Sequence, residues 1–240
     1  MKDVSEHIQR RSVVFGDRPL FAFLRDSDVD ARRRLAFAPY LAHFVMTFAD
    51  LYNFVLPENP PTDRYQELVN IHVAEDATHW QWYLADLTNA DLDPTLRFTD
   101  ALRFLWSTST VKTRMLSYGI CRLGGGMSTL QKLVMVNCIE AAGRVSLGAV
   151  AVAGRALEPG IGRKLVYFGN HHIDTESDHT LEDPAVRRSL DAVALTAPER
   201  ARLLATVDQV FDLFTDFVDE VFELARSGRA ATDFAAKALR

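Results

Sequence analysis

The chain has 240 residues, of which 48% are hydrophobic and 25% charged, a balance that excludes disordered and fibrous proteins. Its net charge of -5 argues against nucleic acid as the main partner. The longest run without Asp, Glu, Lys or Arg covers residues 35–49, shorter than the roughly 18 residues of a membrane span, so we expect no membrane partner.

The N-terminus and the cysteines indicate the compartment. The first seven residues contain no apolar run, so a secretory signal is not expected. Two cysteines, Cys121 and Cys138, are too few for a disulfide framework or a four-thiolate zinc site. We therefore expect a cytoplasmic protein.

Apolar residues recur with a period near 3.6 along most of the chain, which predicts an all-α fold. Capping boxes at Ser128 and Thr196 mark two helix starts. The predicted helices cover residues 29–56 with a break near Pro39, 63–88, 95–118, 128–156, 159–181, 184–194 and 197–226. We expect a single domain over residues 1–240, with about the first 25 residues at its periphery.

Two windows a hundred residues apart share the pattern His-x3-Asp/Glu-x2-His, each inside a predicted helix. Their ligand-type residues are His72, Asp76 and His79 and, in the second window, His172, Glu176 and His179. Helical offsets of 0, 4 and 7 point within roughly 60° of one another, so each window presents three ligands on one face. Chance placement would produce about 0.03 such windows in a chain of this composition. Glu75 and His171 point roughly 60° and 100° away and are not included.

Glu140 is a further candidate ligand because it lies in the apolar run 133–142, where an unpaired carboxylate would be costly. A salt bridge to Arg144, one turn later, is the alternative. Asp50 is a weaker candidate by the same reasoning, and whether Asp50 or Glu75 also ligates stays open. Imidazole together with carboxylate suits iron, manganese or zinc, whereas magnesium and calcium prefer oxygen ligands.

A single Glu followed 32 residues later by the second window, with an earlier ligand set that ends in His, resembles the heme-oxygenase-like dimetal oxidases and oxygenases. This family is related in fold to the thiaminase-type proteins. The matching positions are Glu140, His172, Glu176, His179 and, earlier, His79, and the helix order is similar over roughly residues 35–226. The resemblance implies a compact seven-helix heme-oxygenase-like bundle.

The resemblance also implies a dinuclear site, usually of two iron ions and sometimes of iron and manganese, that activates O₂. The implied ligands are His72, Asp76, His79, Glu140, His172, Glu176 and His179. The family commonly has Glu where this chain has His72, and Asp where it has Glu176. The first departure leaves the metal preference and the charge of the site open.

The function implied is that of an oxidoreductase that uses O₂ to oxidise a small organic molecule, with no organic cofactor and no catalytic residue beyond the metal ligands. Small residues at 141–149 leave space near the metals or serve tight helix packing. Three alternatives stay open: a ferritin-like ferroxidase, a metal-free thiaminase-type hydrolase that uses Cys121 or Cys138, and a heme protein with His43 as ligand. A homodimer and an external reductant stay open too.

Overall fold

The computed structural model describes residues 1–177 and 179–228, without the side chains of residues 176, 177 and 182. The described residues form α-helices and no strand, so the predicted all-α class is confirmed. The helices are α1 Lys2–Gly16, α2 Pro19–Arg25, α3 Ala31–Leu35, α4 Ala42–Asp50, α5 Arg64–Asp76, α6 Trp80–Asn89, α7 Phe98–Leu105, α8 Val111–Gly124, α9 Thr129–Ile161, α10 Asn170–Ser177, α11 Pro184–Asp191 and α12 Ala197–Ser227. Short 3₁₀ turns cover Ala38–Leu41, Thr108–Thr110 and Thr180–Glu182, and a π-helical turn covers Leu51–Val55.

The two longest helices, α9 and α12, are the frame of the bundle. Both begin at the predicted capping boxes, where Ser128 and Thr196 accept hydrogen bonds from the backbone N–H groups of Gln131 and Glu199. Each box satisfies two amide groups that the first turn leaves without a helical partner. The two helices pack together, and α1, α2, α3, α5 and α10 contact α9.

The N-terminal residues, expected at the periphery, form α1 and α2. Val4, Phe15, Leu20, Phe21 and Leu24 from these helices are buried. Helix α1 packs against α9 and α12, and α2 against α9. The N-terminal segment therefore shares the core of the bundle.

Several predicted helices are interrupted. The break near Pro39 is confirmed as a 3₁₀ turn. The predicted helix 63–88 ends at Asp76 and resumes at Trp80, although neither Pro nor Gly marks the break. The predicted helix 95–118 is split in the same way at Trp106 and Ser107, between α7 and the 3₁₀ turn before α8.

The predicted helix 159–181 is wrong in its first half. Helix α9 runs on to Ile161 and ends at Gly162, whose φ of +64° lies in the left-handed region that glycine adopts without strain. Residues 163–169 then follow as a loop. Helix α10 begins at Asn170.

Two buried carboxylates hold this loop. Asp86 accepts hydrogen bonds from the backbone N–H groups of Val166 at 3.0 Å and Phe168 at 2.9 Å. Glu158 accepts one from Leu165 at 3.1 Å. These bonds satisfy buried amide groups that helical bonding would otherwise have to satisfy. The Asp86 carboxylate, 80 residues before Val166, thus decides the local structure of the loop.

Among the described residues, α9 alone is long and apolar enough to cross a membrane, judged by length and composition. Of its most apolar window, 56% is buried inside the bundle. Core helices pass the same test, and α9 carries the buried Glu140 in its first half.

Candidate metal centre

Six of the seven proposed ligands have described side chains, and the bundle brings all six together in its interior. They are His72, Asp76, His79, Glu140, His172 and His179. Each of these side chains is largely buried. The side chain of the seventh, Glu176, lies outside the described residues.

The last histidine of each window lies beyond the end of its helix. His79 is in the turn after α5, and His179 directly precedes the 3₁₀ turn Thr180–Glu182. The prediction of three ligands on one continuous helix face is therefore wrong in both windows. His79 stays close to Asp76 because its N–H donates to the Asp76 carbonyl at 3.1 Å in a tight turn.

The ligand atoms form two groups. In the first group His72, Glu140 and His179 each offer an atom, all within 4.8 Å of one another. The His72 Nε2 atom lies 3.2 Å from Glu140 Oε1. This group joins α5, α9 and the segment after α10.

The second group contains Asp76, His79 and His179. Asp76 Oδ1 lies 3.5 Å from His79 Nδ1 and 3.4 Å from His179 Nδ1. Since metal–nitrogen and metal–oxygen bonds measure about 2.1 Å, two donors on one ion lie up to roughly 4.2 Å apart. Both groups could hold metal ions after small adjustments, and they share His179.

The ring nitrogens of His72 show whether a metal ion fits the first group. Its side chain is completely buried, and neither ring nitrogen makes a hydrogen bond with the described residues. Buried polar atoms are normally satisfied, and a metal ion would satisfy one of these nitrogens. The Glu140 carboxylate lies 3.2 Å from the His72 ring, and the Arg144 side chain is exposed. The donor set suits iron, manganese or zinc.

The orientation of His172 is set by the loop before α10. Its Nδ1 atom lies 3.2 Å from the backbone carbonyl of Tyr167, and the two rings pack 4.7 Å apart. A carbonyl can only accept, so Nδ1 carries the proton and Nε2 has the lone pair for a metal. Trp82 stacks on His79 at 4.1 Å and packs edge-on against His172 at 5.6 Å.

Glu75 has a role that the sequence did not indicate. Its carboxylate accepts hydrogen bonds from the backbone N–H of Thr180 at 3.2 Å and from the Thr180 hydroxyl at 2.7 Å. It also lies 3.8 Å from His72 Nδ1. Glu75 thus ties α5 to the residue after His179 and acts as a positioning residue. The other candidate, Asp50, is exposed.

A cavity of about 140 Å³ lies beside the ligand groups. Asp76, His79, Glu140 and His172 line it. Of the small residues after Glu140, two line the cavity, Gly143 and Ser146, whereas Ala141, Ala142 and Ala149 are buried in helix packing. Both roles considered for the small residues at 141–149 therefore occur.

The residues of the alternative functions lie outside the cavity lining. His43 packs edge-on against the rings of Trp106 and Tyr118, at 5.6 and 5.5 Å, with Nε2 3.3 Å from the Tyr118 hydroxyl. Burial raises the pKa of the Cys121 and Cys138 thiols. The protonated thiol is a poor nucleophile, so neither cysteine has the properties of a catalytic one.

Comparison with protein-family models and with curated proteins finds no match for this chain.

Proposed function

We propose that the protein is an O₂-dependent oxidoreductase, a dinuclear iron or iron–manganese oxidase or oxygenase on a heme-oxygenase-like bundle, which oxidises a small organic molecule. The observation that carries this proposal is the pair of overlapping buried ligand groups beside a cavity. Two reduced metal ions in these groups would supply the electrons that turn O₂ into an oxidant.

The residues of the chain have distinct tasks in this proposal. His72 and Glu140 would hold one ion, Asp76 and His79 the other, and His179 lies within reach of both. His172 and Glu176 complete the set that the sequence indicated. Three carboxylates against two divalent ions leave one positive charge, which can hold a hydroxide or another anion.

The cavity favours an enzyme with an organic substrate over a ferritin-like ferroxidase. An iron-handling protein needs ligands and a route for iron, whereas a substrate needs space next to the metals. That space is present beside Glu140 and His172. The thiaminase-type alternative lacks support because both thiols are held protonated and neither lines the cavity.

Metal counting tests the proposal. Metal-free protein titrated anaerobically with ferrous ion should bind about two ions per chain. Loss of an imidazole ligand in His172→Gln should weaken uptake at least about tenfold. The matched control is His171→Gln, since His171 is exposed and adjacent in sequence. Equal ferrous-ion uptake by the two variants, or no uptake by the unmodified protein, contradicts the proposal.

Exposure of the loaded protein to O₂ separates the two metal-based functions. An oxidase or oxygenase should consume O₂ in a burst of about one per two irons and turn over only when an organic substrate is present. Continuous oxidation of added ferrous ion without any organic substrate supports the ferroxidase instead.

A further inference from the structure

The ionisable side chains that line the cavity beside the candidate metal ligands are clustered together. They are Asp76, His79, Glu140, His172 and Tyr167, whose ring lies 4.7 Å from that of His172. The other walls are mainly hydrocarbon from α2, α4, α9 and α12, with Leu24, Phe44, Val45, Val150, Phe217 and Val221 among them. The described residues that line the cavity include no lysine and no arginine.

These walls discriminate by charge. An ionised group placed among them would lose its hydration and find no counter-charge, which is unfavourable. An apolar group has no strong hydration to lose there. Its transfer out of water is favourable and raises the affinity about fourfold per buried methylene. The walls therefore select a ligand whose body is uncharged and apolar.

The volume of the cavity limits the size of that ligand. An apolar protein cavity of about 150 Å³ is large enough for a benzene-sized molecule. The cavity here, about 140 Å³, is close to that size. Its lining includes several aromatic rings, among them Phe44, Phe48 and Phe214, which pack well against a ring or a short alkyl chain.

We propose that this cavity binds a small molecule with an uncharged, hydrocarbon-like body, about the size of one aromatic ring or a short alkyl chain, with the carbon to be oxidised beside Glu140 and His172. The assignment of this molecule as a substrate rests on the proposed oxidoreductase function. The binding of the molecule does not depend on that function, because an apolar cavity can bind an apolar ligand without any metal.

Two glycines of α9 provide a matched pair of variants. A Cβ atom at Gly143 or at Gly148 would meet nothing within 4 Å, so both positions have open space where a side chain would begin. Gly143 lines the cavity and Gly148 does not. Gly143→Leu and Gly148→Leu are the same substitution within one helix, so both raise the helix propensity by the same amount. Only Gly143→Leu places the new side chain in the cavity.

The test is calorimetric binding of toluene and of benzoate to the metal-free protein at pH 8. Toluene should bind the unmodified protein and Gly148→Leu with similar affinity, and Gly143→Leu at least about tenfold more weakly. Benzoate has the same ring with a negative charge and should bind the unmodified protein at least about tenfold more weakly than toluene. If Gly143→Leu does not fold, as judged by circular dichroism, Ser146→Leu fills the same cavity from the next turn of α9.

The inference is overturned if benzoate binds as tightly as toluene, if toluene does not bind, or if Gly143→Leu binds it like the unmodified protein. Ferrous uptake by the same samples separates this result from the proposed function. Normal uptake without toluene binding contradicts the inference alone. Toluene binding without any metal uptake contradicts the oxidoreductase proposal and leaves the ligand class standing.

Discussion

His172 and His179 owe their orientation to residues outside the motif that contains them. The Tyr167 carbonyl accepts from His172 Nδ1, and the Glu75 carboxylate holds Thr180, the neighbour of His179. Such supporting contacts fix ring orientation and typically contribute tenfold or more to metal affinity. The ligand spacing alone does not specify them. At the residue scale, the centre therefore depends on a loop and a turn as much as on its helices.

His43 makes the stability of the protein depend on pH. Burial, with the nearby positive charge of Arg114, lowers the pKa of its imidazole below the ordinary value of 6.5. Below pH 6.5 the unfolded chain therefore binds a proton that the folded protein does not, and the folded state loses stability as pH falls. We expect the difference in unfolding free energy between the unmodified protein and His43→Gln to shrink from pH 7.5 to pH 5.5.

Urea unfolding of both metal-free proteins at the two pH values measures this effect. The ligand histidines are present in both proteins, so their contributions cancel in the difference. A difference that stays constant or grows on acidification would show that His43 is not held neutral in the folded state.

At the scale of elements, the two histidine windows show what the sequence could predict. Spacing placed the candidate ligands together because Asp76 and His79 remain neighbours in the tight turn that ends α5. It did not predict the end of the helix, since no Pro or Gly lies between them. The loop 163–169 was missed for a different reason. Two of its backbone N–H groups donate to Asp86, a partner too distant in sequence for any local pattern to reveal.

Close packing of this loop on α9 requires a glycine at position 154. A Cβ atom there would lie 1.8 Å from the carbonyl oxygen of Phe168, an impossible approach unless the backbone moves. We expect Gly154→Ala to lower the unfolding free energy by about 2 kcal/mol or more, a typical cost of overpacking. Thermal or urea unfolding measures the change.

The matched control for this substitution is Gly160→Ala, also on α9. A Cβ atom at Gly160 meets nothing within 4 Å, so alanine there should be neutral or stabilise by up to about 1 kcal/mol through helix propensity. Equal effects of the two substitutions would contradict the close approach of α9 and the loop.

At the scale of the whole molecule, α1 and α12 are joined by both charge and apolar contact. Arg11 of α1 lies 2.7 Å from Asp208, and Arg18, directly before α2, lies 2.5 Å from Asp219, but these pairs are partly exposed and contribute about 1 kcal/mol or less each. The ring of Phe15, by contrast, is buried against Phe211 and Phe214. Aromatic packing therefore holds the N-terminal helix to the frame of the bundle.

Metal binding should stabilise the whole bundle, because the ligands connect α5, α9 and the segment around α10, which are far apart in sequence. A ligand that binds only the folded protein adds about 2.7 kcal/mol at a concentration of 100 times its Kd. For a chain of this size that corresponds to a rise in melting temperature of about 5 to 10 °C. We expect this rise with Mn²⁺, its reversal by a chelator, and a much smaller rise with Mg²⁺, which prefers oxygen ligands. Calorimetric melting temperatures of the unmodified protein, His79→Ala and His171→Gln, with and without Mn²⁺, test whether the rise comes from the candidate centre. His171→Gln should keep the full rise and His79→Ala should lose most of it, whereas an equal rise in both variants would place the bound metal elsewhere.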